Sequence, residues 1–158
     1  VMLAGSEIDD PEFTRLIEMC GALVVADRYC FGSLPGREQI VVADGQDPLD
    51  ALAEHYMKIN ECPRTMGTES IISRKNYLYD VARDYKAEGI ILQNMKFCEY
   101  WGYERAIAAK WLAEGLNVPS AIPTCQIERD YANAATGQLR TRFQAFVESL
   151  EIKRLQAE

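Results

Sequence analysis

The sequence predicts an α/β domain in which a parallel sheet of about four strands lies between helices on both faces, as in Rossmann-like and flavodoxin-like three-layer domains. Three observations support this prediction. Short aliphatic runs alternate with segments of helical periodicity along the chain. Turn and capping residues separate these segments. Strand, helix and strand follow one another within residues 1–26, which is typical of a parallel βαβ unit.

The first 26 residues contain the most regular part of this pattern. Val1–Ala4 is an apolar run that ends at a Gly-Ser turn, which predicts a buried strand. Asp9 or Asp10 then caps a helix that ends at Gly21, because an Asp side chain satisfies the first N–H groups of a helix and glycine favours its end. Ala22–Ala26 predicts the second strand. The apolar face of the helix is expected to contain Phe13, Leu16, Ile17 and Cys20.

The rest of the chain continues the alternation after a long loop. Residues 27–47 are rich in glycine and proline and predict a functional or interface loop, in which residues 40–42 are a candidate edge strand. Helices are expected over 47–59, 68–87, 101–115 and 137–155, and strands over 89–93 and 118–127. Pro119 and Pro123 weaken the last strand, which is therefore expected at an edge. The buried helix residues are expected to be Leu78, Val81, Ala82, Tyr85, Ile107, Ala108, Trp111, Leu112, Leu139, Phe143, Phe146, Val147 and Leu150.

Length and composition indicate a single domain over residues 1–158. The chain has a mass of 17.9 kDa, and its 48% hydrophobic and 26% charged residues are in the range of globular domains. It starts at Val1, directly in a strand-like run, which predicts that it is the C-terminal domain of a longer subunit. No apolar run reaches the roughly 18 residues that a membrane span needs, so a membrane partner is not expected.

Charge and residue counts exclude several kinds of chemistry. A net charge of −7 would repel a phosphate backbone, so a general nucleic-acid binder is not expected. His55 is the only histidine, which excludes a His-rich zinc or copper site. The five cysteines are scattered and form no CxxC pair, so neither a zinc ribbon nor a thioredoxin-type site is expected. Their odd number, without a signal peptide, favours the reducing cytoplasm.

Polar side chains follow each predicted strand, where open parallel sheets bind their ligands. Cys30 follows the second strand and Cys98 the third, and each is either a metal ligand or a small buried hydrophobic residue. Glu7 follows the first strand among acids that also fit a helix cap. Cys20 lies on an apolar helix face, and Cys62 lies in a turn between helices. The other groups expected at this edge are Ser6, Asp9, Asp10, Asp27, Asn94, Lys96, Glu99, Glu128 and Arg129.

The sequence argues against phosphate binding at one segment and leaves it open at another. The turn after the first strand has one glycine and three acids and lacks both the GxGxxG pattern and the P-loop lysine, so a dinucleotide site is not expected there. Residues 136–142, Thr-Gly-Gln-Leu-Arg-Thr-Arg, combine a helix N-terminus with two arginines. This segment predicts either an anion site or an ordinary basic helix start.

Five segments carry a more specific pattern. They are residues 5–10 (GSEIDD), 21–32 (GALVVADRYCFG), 95–99 (MKFCE), 127–131 (IERDY) and 137–142 (GQLRTR). In this order they resemble the C-terminal domain of the 2-hydroxyacyl-CoA dehydratase D-component family, which includes 2-hydroxyglutaryl-CoA dehydratase and the related subunits of ATP-dependent benzoyl-CoA reductase. The resemblance extends over essentially the whole chain, and the Lys-Phe-Cys and Gly-Gln-Leu-Arg-Thr-Arg motifs are its most specific part.

The resemblance implies an oxygen-sensitive enzyme subunit of anaerobic metabolism that pairs with a homologous second subunit. In this family each subunit holds a [4Fe-4S] cluster through three cysteines, and the cysteine of the Lys-Phe-Cys motif, here Cys98, is the ligand from the C-terminal domain. The other two ligands come from an upstream domain that this sequence does not contain, so the isolated chain is expected to hold no stable cluster and to be inactive. Cys30 is a further candidate ligand, and Glu7 is a candidate polar group near the substrate.

The implied reaction is the delivery of single low-potential electrons to an acyl-CoA thioester, with a separate ATP-hydrolysing iron–sulfur activator as electron donor. The enzyme is then either a 2-hydroxyacyl-CoA dehydratase or a benzoyl-CoA reductase, and residues 31–36 and Trp101 resemble the reductase more. The alternatives are a non-catalytic flavodoxin-like scaffold that docks a partner and has structural cysteines, and a small-molecule sensor domain.

Overall fold

The computed structural model describes residues 1–30, 32–59, 62–64, 67–115, 120–131 and 136–157, and within them strands alternate with helices. The strands are β1 (Met2–Gly5), β2 (Ala26–Arg28), β3 (Ile90–Met95) and β4 (Thr124–Arg129). The helices are α1 (Pro11–Glu18), α2 (Pro48–Ile59), α3 (Thr68–Asp84), α4 (Glu99–Glu114) and α5 (Thr136–Ala157), with a 3-10 turn at Leu34–Gly36. Phe31 and residues 118–119, which the sequence analysis used, lie outside the described residues.

The strands are all parallel and lie in the order β2–β1–β3–β4. The chain therefore moves to one side of β1 after α1 and to the other side after α3. Because right-handed crossovers in opposite directions cover opposite faces, α1 and α5 pack on one face of the sheet and α3 and α4 on the other. This arrangement confirms the predicted three-layer α/β fold, and the strand order is that of flavodoxin-like domains. β4 lies at an edge of the sheet, as predicted.

Apolar side chains cover both faces of the sheet, which is why β3 consists of six consecutive buried residues. Alternate strand residues point to opposite faces. Met2 and Leu92 pack against α3 and α4, whereas Leu3 packs against α1 and α5. On the second face, the rings of Phe13 and Phe143 meet edge-on with centroids 5.7 Å apart, which fixes α1 against α5.

The second strand begins four residues later than predicted, at Ala26 rather than Ala22. The register pairs Met2 with Ala26, so residues 22–25 lie before the paired part of β1, and Leu23 is 66% exposed. Residues 40–42 form no strand, since no neighbouring strand pairs with them in the described sheet. Both errors concern apolar runs whose pairing depends on tertiary register rather than on local sequence.

The third and fourth strands end later than predicted, whereas the described residues 120–123, predicted as part of the fourth strand, precede it. Every residue of β3 pairs with one of β4, so the ladder continues through polar positions. Asn94, Glu128 and Arg129 therefore lie inside the strands and not after them.

Two predicted core residues on the helices are wrong. α3 ends at Asp84, so Tyr85 lies at its C-terminal cap and is 51% exposed. α4 presents Glu104 and Ala108 to the interior, which leaves Ile107 on its flank. None of the helices in the described part of the chain combines the length and the apolar character that a membrane span requires.

Candidate functional site

The carboxyl ends of β1 and β3 mark the place where a doubly wound sheet opens a ligand crevice, because the chain leaves these two neighbouring strands in opposite directions. We refer to this place as the crevice. Ser6 joins the two strands at this point. Its hydroxyl oxygen accepts a hydrogen bond from the Met95 backbone N–H, and its carbonyl oxygen accepts one from the Gln93 side-chain amide. The buried side-chain oxygens of Gln93 and Asn94 have no hydrogen-bond partner among the described residues. The floor of the crevice is therefore polar and firmly held.

The Lys-Phe-Cys motif forms the turn between β3 and α4. The Lys96 backbone N–H donates to the Arg129 carbonyl (2.7 Å), and the Cys98 N–H donates to the Met95 carbonyl (3.0 Å). Phe97, between them, has a φ of 71°, in the left-handed region that bulky residues rarely adopt, and its side chain is 94% exposed. A strained and exposed aromatic residue beside a crevice points to a functional role for this turn, because packing gains nothing from it.

Cys98 is the N-cap residue of α4 and is half-buried. Its sulfur makes no capping hydrogen bond, so it remains available to another partner. The first N–H groups of α4 and the positive end of the helix dipole lie beside it, and both favour negative charge at this place. These features suit a sulfur that binds a metal.

Cys62 and Cys98 come from distant parts of the sequence, and each lies close enough to Cys30 to affect its pKa. Burial raises the pKa of the Cys30 thiol, and the indole N–H of Trp101 lowers it. The charges of Cys62, Glu7 and Cys98 are close enough to raise that pKa further. We refer to the patch formed by Cys30, Cys62, Cys98 and Glu7 as the thiol rim.

The thiol rim fits a partial set of metal ligands. Among the described residues, no group of three or more His, Cys, Asp or Glu side chains is placed to hold a metal ion. Cys98 is held at the start of α4 by backbone hydrogen bonds, and its sulfur could serve as a single ligand. Cys30 is less suited, because thiolates are the form that binds metals and its raised pKa favours the protonated thiol.

Glu7 is half-buried at the edge of the crevice. Burial raises its pKa, although the Ile8 backbone N–H, which donates to the Glu7 Oε1 atom at 3.1 Å, lowers it. Asp9 contributes a smaller increase through its negative charge. A carboxyl group in this position retains its proton to higher pH than an ordinary glutamate and can exchange it with a bound ligand.

Glu7→Gln is expected to stabilise the domain slightly at pH 7. The raised pKa means that the folded protein binds this proton more tightly than the unfolded chain, so the wild type loses stability as the pH rises through the pKa of Glu7. The gain from the substitution is therefore present at pH 7 and disappears below the ordinary glutamate value of 4.5. Urea unfolding of both proteins at pH 7 and at about pH 4 measures the difference, and an equal gain at both pH values would contradict this interpretation.

A buried ion pair supports the wall behind the thiol rim. Arg74 on α3 contacts Glu104 on α4 through two hydrogen bonds, Nε to Oε1 at 2.9 Å and Nη2 to Oε2 at 3.1 Å. Arg28, at the end of β2, lies over the rings of Tyr77 and Trp101 at 5.6 and 5.8 Å. These contacts hold the N-terminal half of α4 against α3 and β2, and so fix the turn that precedes it. The sequence analysis did not predict any of them.

The other predicted candidates lie away from the thiol rim. Cys20, just after α1, donates its thiol to the Leu16 carbonyl at 3.2 Å, and Cys125 is buried in β4. His55 is half-buried on α2, where its ring contacts Tyr56 with centroids 5.4 Å apart.

The two aspartates that follow β1 have different environments. Asp10 is the N-cap of α1, since its side chain accepts a hydrogen bond from the Glu12 N–H at 2.9 Å, and Asp9 is exposed. Of the remaining predicted groups, Lys96 forms an exposed ion pair with Asp130 at 2.8 Å. Residues 136–142 form the start of α5, as predicted.

Fold and site together define an α/β domain whose ligand crevice has cysteines along one side. The family model described as "2-hydroxyglutaryl-CoA dehydratase, D-component" matches residues 1–150, and the chain belongs to this family. The family expected from the five sequence segments is thereby confirmed.

Two curated relatives are similar over most of this chain. The "(R)-phenyllactyl-CoA dehydratase beta subunit" of Clostridium sporogenes is 29% identical over 150 residues, which are 95% of this chain and 37% of the relative. The "Putative dehydratase subunit YjiM" of Escherichia coli (strain K12) is 31% identical over 136 residues, which are 86% of this chain and 33% of the relative. The chain thus spans about a third of the length of these relatives.

Proposed function

We propose that the protein is the iron–sulfur subunit of a 2-hydroxyacyl-CoA dehydratase and that Cys98 is the ligand that this chain supplies to a [4Fe-4S] cluster. The observation that carries this proposal is the turn at residues 96–98, where a strained, exposed phenylalanine precedes a half-buried cysteine at the start of α4. The remaining ligands come from outside this chain, since the described residues contain no complete set.

The chemistry that such a cluster would supply is the transfer of single low-potential electrons to and from an acyl-CoA thioester. Cys98 would hold one iron, and the hydrogen bonds that tie residues 95–98 to β1 and β4 keep its sulfur in place. The first N–H groups of α4 lie beside this sulfur, and N–H groups near a cluster tune its potential. Glu7 is assigned the exchange of a proton with the substrate, because its carboxyl lies at the same crevice and has a raised pKa.

Dehydration is favoured over the reduction of an aromatic ring. Both curated relatives are named as dehydratase subunits. Of the residues that resemble benzoyl-CoA reductase, Phe31 lies outside the described residues, and Trp101 is 2% exposed and packs against Arg28. The contacts of Trp101 with Arg28 and with the Cys30 thiol account for its position within this chain, so Trp101 does not favour the reductase.

The proposal includes two protein partners and the cellular compartment of the reaction. One relative is named a beta subunit, which supports a homologous second subunit as partner. An ATP-hydrolysing iron–sulfur activator delivers the electrons, and we assign the reaction to the cytoplasm. The isolated 158-residue chain is expected to be inactive. A scaffold with structural cysteines would not explain why Phe97 is strained and exposed beside Cys98.

Cys98→Ser is expected to lower dehydratase activity by about 100-fold or more. The assay follows the conversion of a 2-hydroxyacyl-CoA to the enoyl-CoA by the full-length protein, purified without oxygen together with its partner subunit and activator. Cys20→Ser is the matched control, because the serine hydroxyl can keep the hydrogen bond to the Leu16 carbonyl. Equal activity of the two variants would refute the assignment and favour the scaffold. Benzoyl-CoA as a second substrate distinguishes the dehydratase from the reductase.

A further inference from the structure

A cleft of about 680 Å³ lies between the start of α1, the start of α5 and the carboxyl ends of β3 and β4. It is separate from the thiol rim, none of whose residues lines it. Residues 136–140 form one wall, so the positive end of the dipole of a 22-residue helix points to this cleft. Neither Cys98 nor Glu7, which carry the proposed chemistry, lines it.

Arg129 is the unusual residue of this cleft. It is 7% exposed, and its Nε atom has no hydrogen-bond partner among the described residues. No ion pair to Arg129 is found in the described part of the chain, and its guanidinium lies 4.5 Å from the centroid of the Phe13 ring. A buried arginine is normally paired with an acid, because an unpaired buried charge is strongly unfavourable. An unsatisfied buried group of this kind calls for a partner, which water, an ion or a bound ligand can supply.

The acids around the cleft do not supply that partner. Asp10 accepts the N–H of Glu12 as the N-cap of α1, and Glu12 itself lies 3.5 Å from Arg15. Asp130 pairs with Lys96 at 2.8 Å. Glu128, the fourth acid of the lining, is exposed.

Two further arginines of α5 add positive charge. Arg140 is exposed at the mouth of the cleft and forms no ion pair within the described residues. Arg142 donates an Nη2 hydrogen bond to the Gln126 carbonyl at 2.9 Å and keeps its other nitrogens for a ligand. A helix N-terminus together with arginine side chains is the usual chemistry of a phosphate site.

We propose that this cleft binds the phosphate group of a small-molecule ligand, with Arg129 as the buried anchor and Arg140 at the entrance. Phe13 and the Arg129 guanidinium, which lie in contact, both line the cleft. The volume is sufficient for a phosphate together with the organic group attached to it. Two sources share this chemistry, the phosphates of coenzyme A and a free phosphate.

Isothermal titration calorimetry of the full-length protein at low ionic strength tests the proposal, with inorganic phosphate and coenzyme A as separate probes. Arg129→Met removes the guanidinium while keeping an unbranched side chain beside Phe13, and it is expected to weaken phosphate binding by at least about tenfold, since a charge-assisted hydrogen bond is lost. Arg140→Gln is exposed, should fold normally, and is expected to weaken binding about threefold or more.

Arg154→Gln is the control, because it removes the same charge from the opposite end of α5, where Arg154 lies 3.9 Å from Glu88. It should leave both affinities unchanged. If both cleft variants lose affinity for phosphate and for coenzyme A alike, coenzyme A is the ligand that supplies the phosphate. A loss for phosphate alone identifies a different phosphate-bearing ligand.

Either no saturable binding by the wild type or no loss in both Arg129→Met and Arg140→Gln would overturn the proposal. If Arg129→Met does not fold, Arg140→Gln alone decides. The measurement needs neither iron nor activator, so its failure is distinct from a failure of the proposed dehydratase function.

Discussion

Replacing Glu104 with glutamine is expected to lower the free energy of unfolding by about 3 kcal/mol or more. The substitution removes the carboxylate that two Arg74 nitrogens contact, and both side chains are at most 3% exposed. A buried charge that loses its bidentate partner is far more costly than a lost surface pair. Because the pair joins α3 to α4, amide protection should fall in both helices together.

Glu114→Gln is the control on the same helix, since Glu114 lies 3.9 Å from Lys110 in an exposed pair. That change should cost less than about 1 kcal/mol. Urea unfolding combined with hydrogen exchange of peptides from α3 and α4 measures both variants. Equal losses for the two variants would show that the Arg74–Glu104 pair does not hold the helices together.

Gly5→Ala is expected to cost about 4 kcal/mol or more, or to prevent folding. Gly5 has a φ of +148°, and a Cβ atom at this position would lie 1.8 Å from the Gln93 carbonyl oxygen. This oxygen belongs to the backbone of β3, so neither strand can move without disrupting the centre of the sheet. The crevice between β1 and β3 would be lost with it.

Gly36→Ala is the matched control, because nothing lies within 4 Å of a Cβ atom there and its φ is not in the left-handed region. It should change the unfolding temperature by no more than a few degrees. Soluble yield and thermal unfolding of the two variants decide the comparison. A Gly5→Ala protein as stable as Gly36→Ala would contradict the close approach of β1 and β3.

The order of helices and strands could be predicted from the sequence because it depends on local signals. Apolar runs such as residues 89–93 and caps such as Asp10 act within one or two turns of chain. The start of β2 could not be predicted, because the register with β1, and not the apolar run at 22–25, decides which residues pair. The register also decides the place of Arg129. This residue of β4 pairs with Met95 of β3, which brings it to the cleft between α1 and α5.

The candidate site was predicted only in part. Cys98 could be placed at the crevice, since the end of an aliphatic strand and the motif around it are both visible in the sequence. The approach of Cys62 to Cys30 could not, because the two residues are far apart in the sequence and no local signal brings them together. The Arg74–Glu104 pair was missed because charged residues on a helix are expected to face solvent.

The iron and acid-labile sulfide content of the full-length protein tests the central claim most directly. The protein is purified without oxygen together with its partner subunit. The comparison uses the wild type, Cys98→Ser and Cys20→Ser. The proposal predicts about four irons per cluster in the wild type and in Cys20→Ser, and the loss of most of this iron in Cys98→Ser. Equal iron in all three proteins, or no iron in any of them, would contradict the assignment of Cys98 as a cluster ligand.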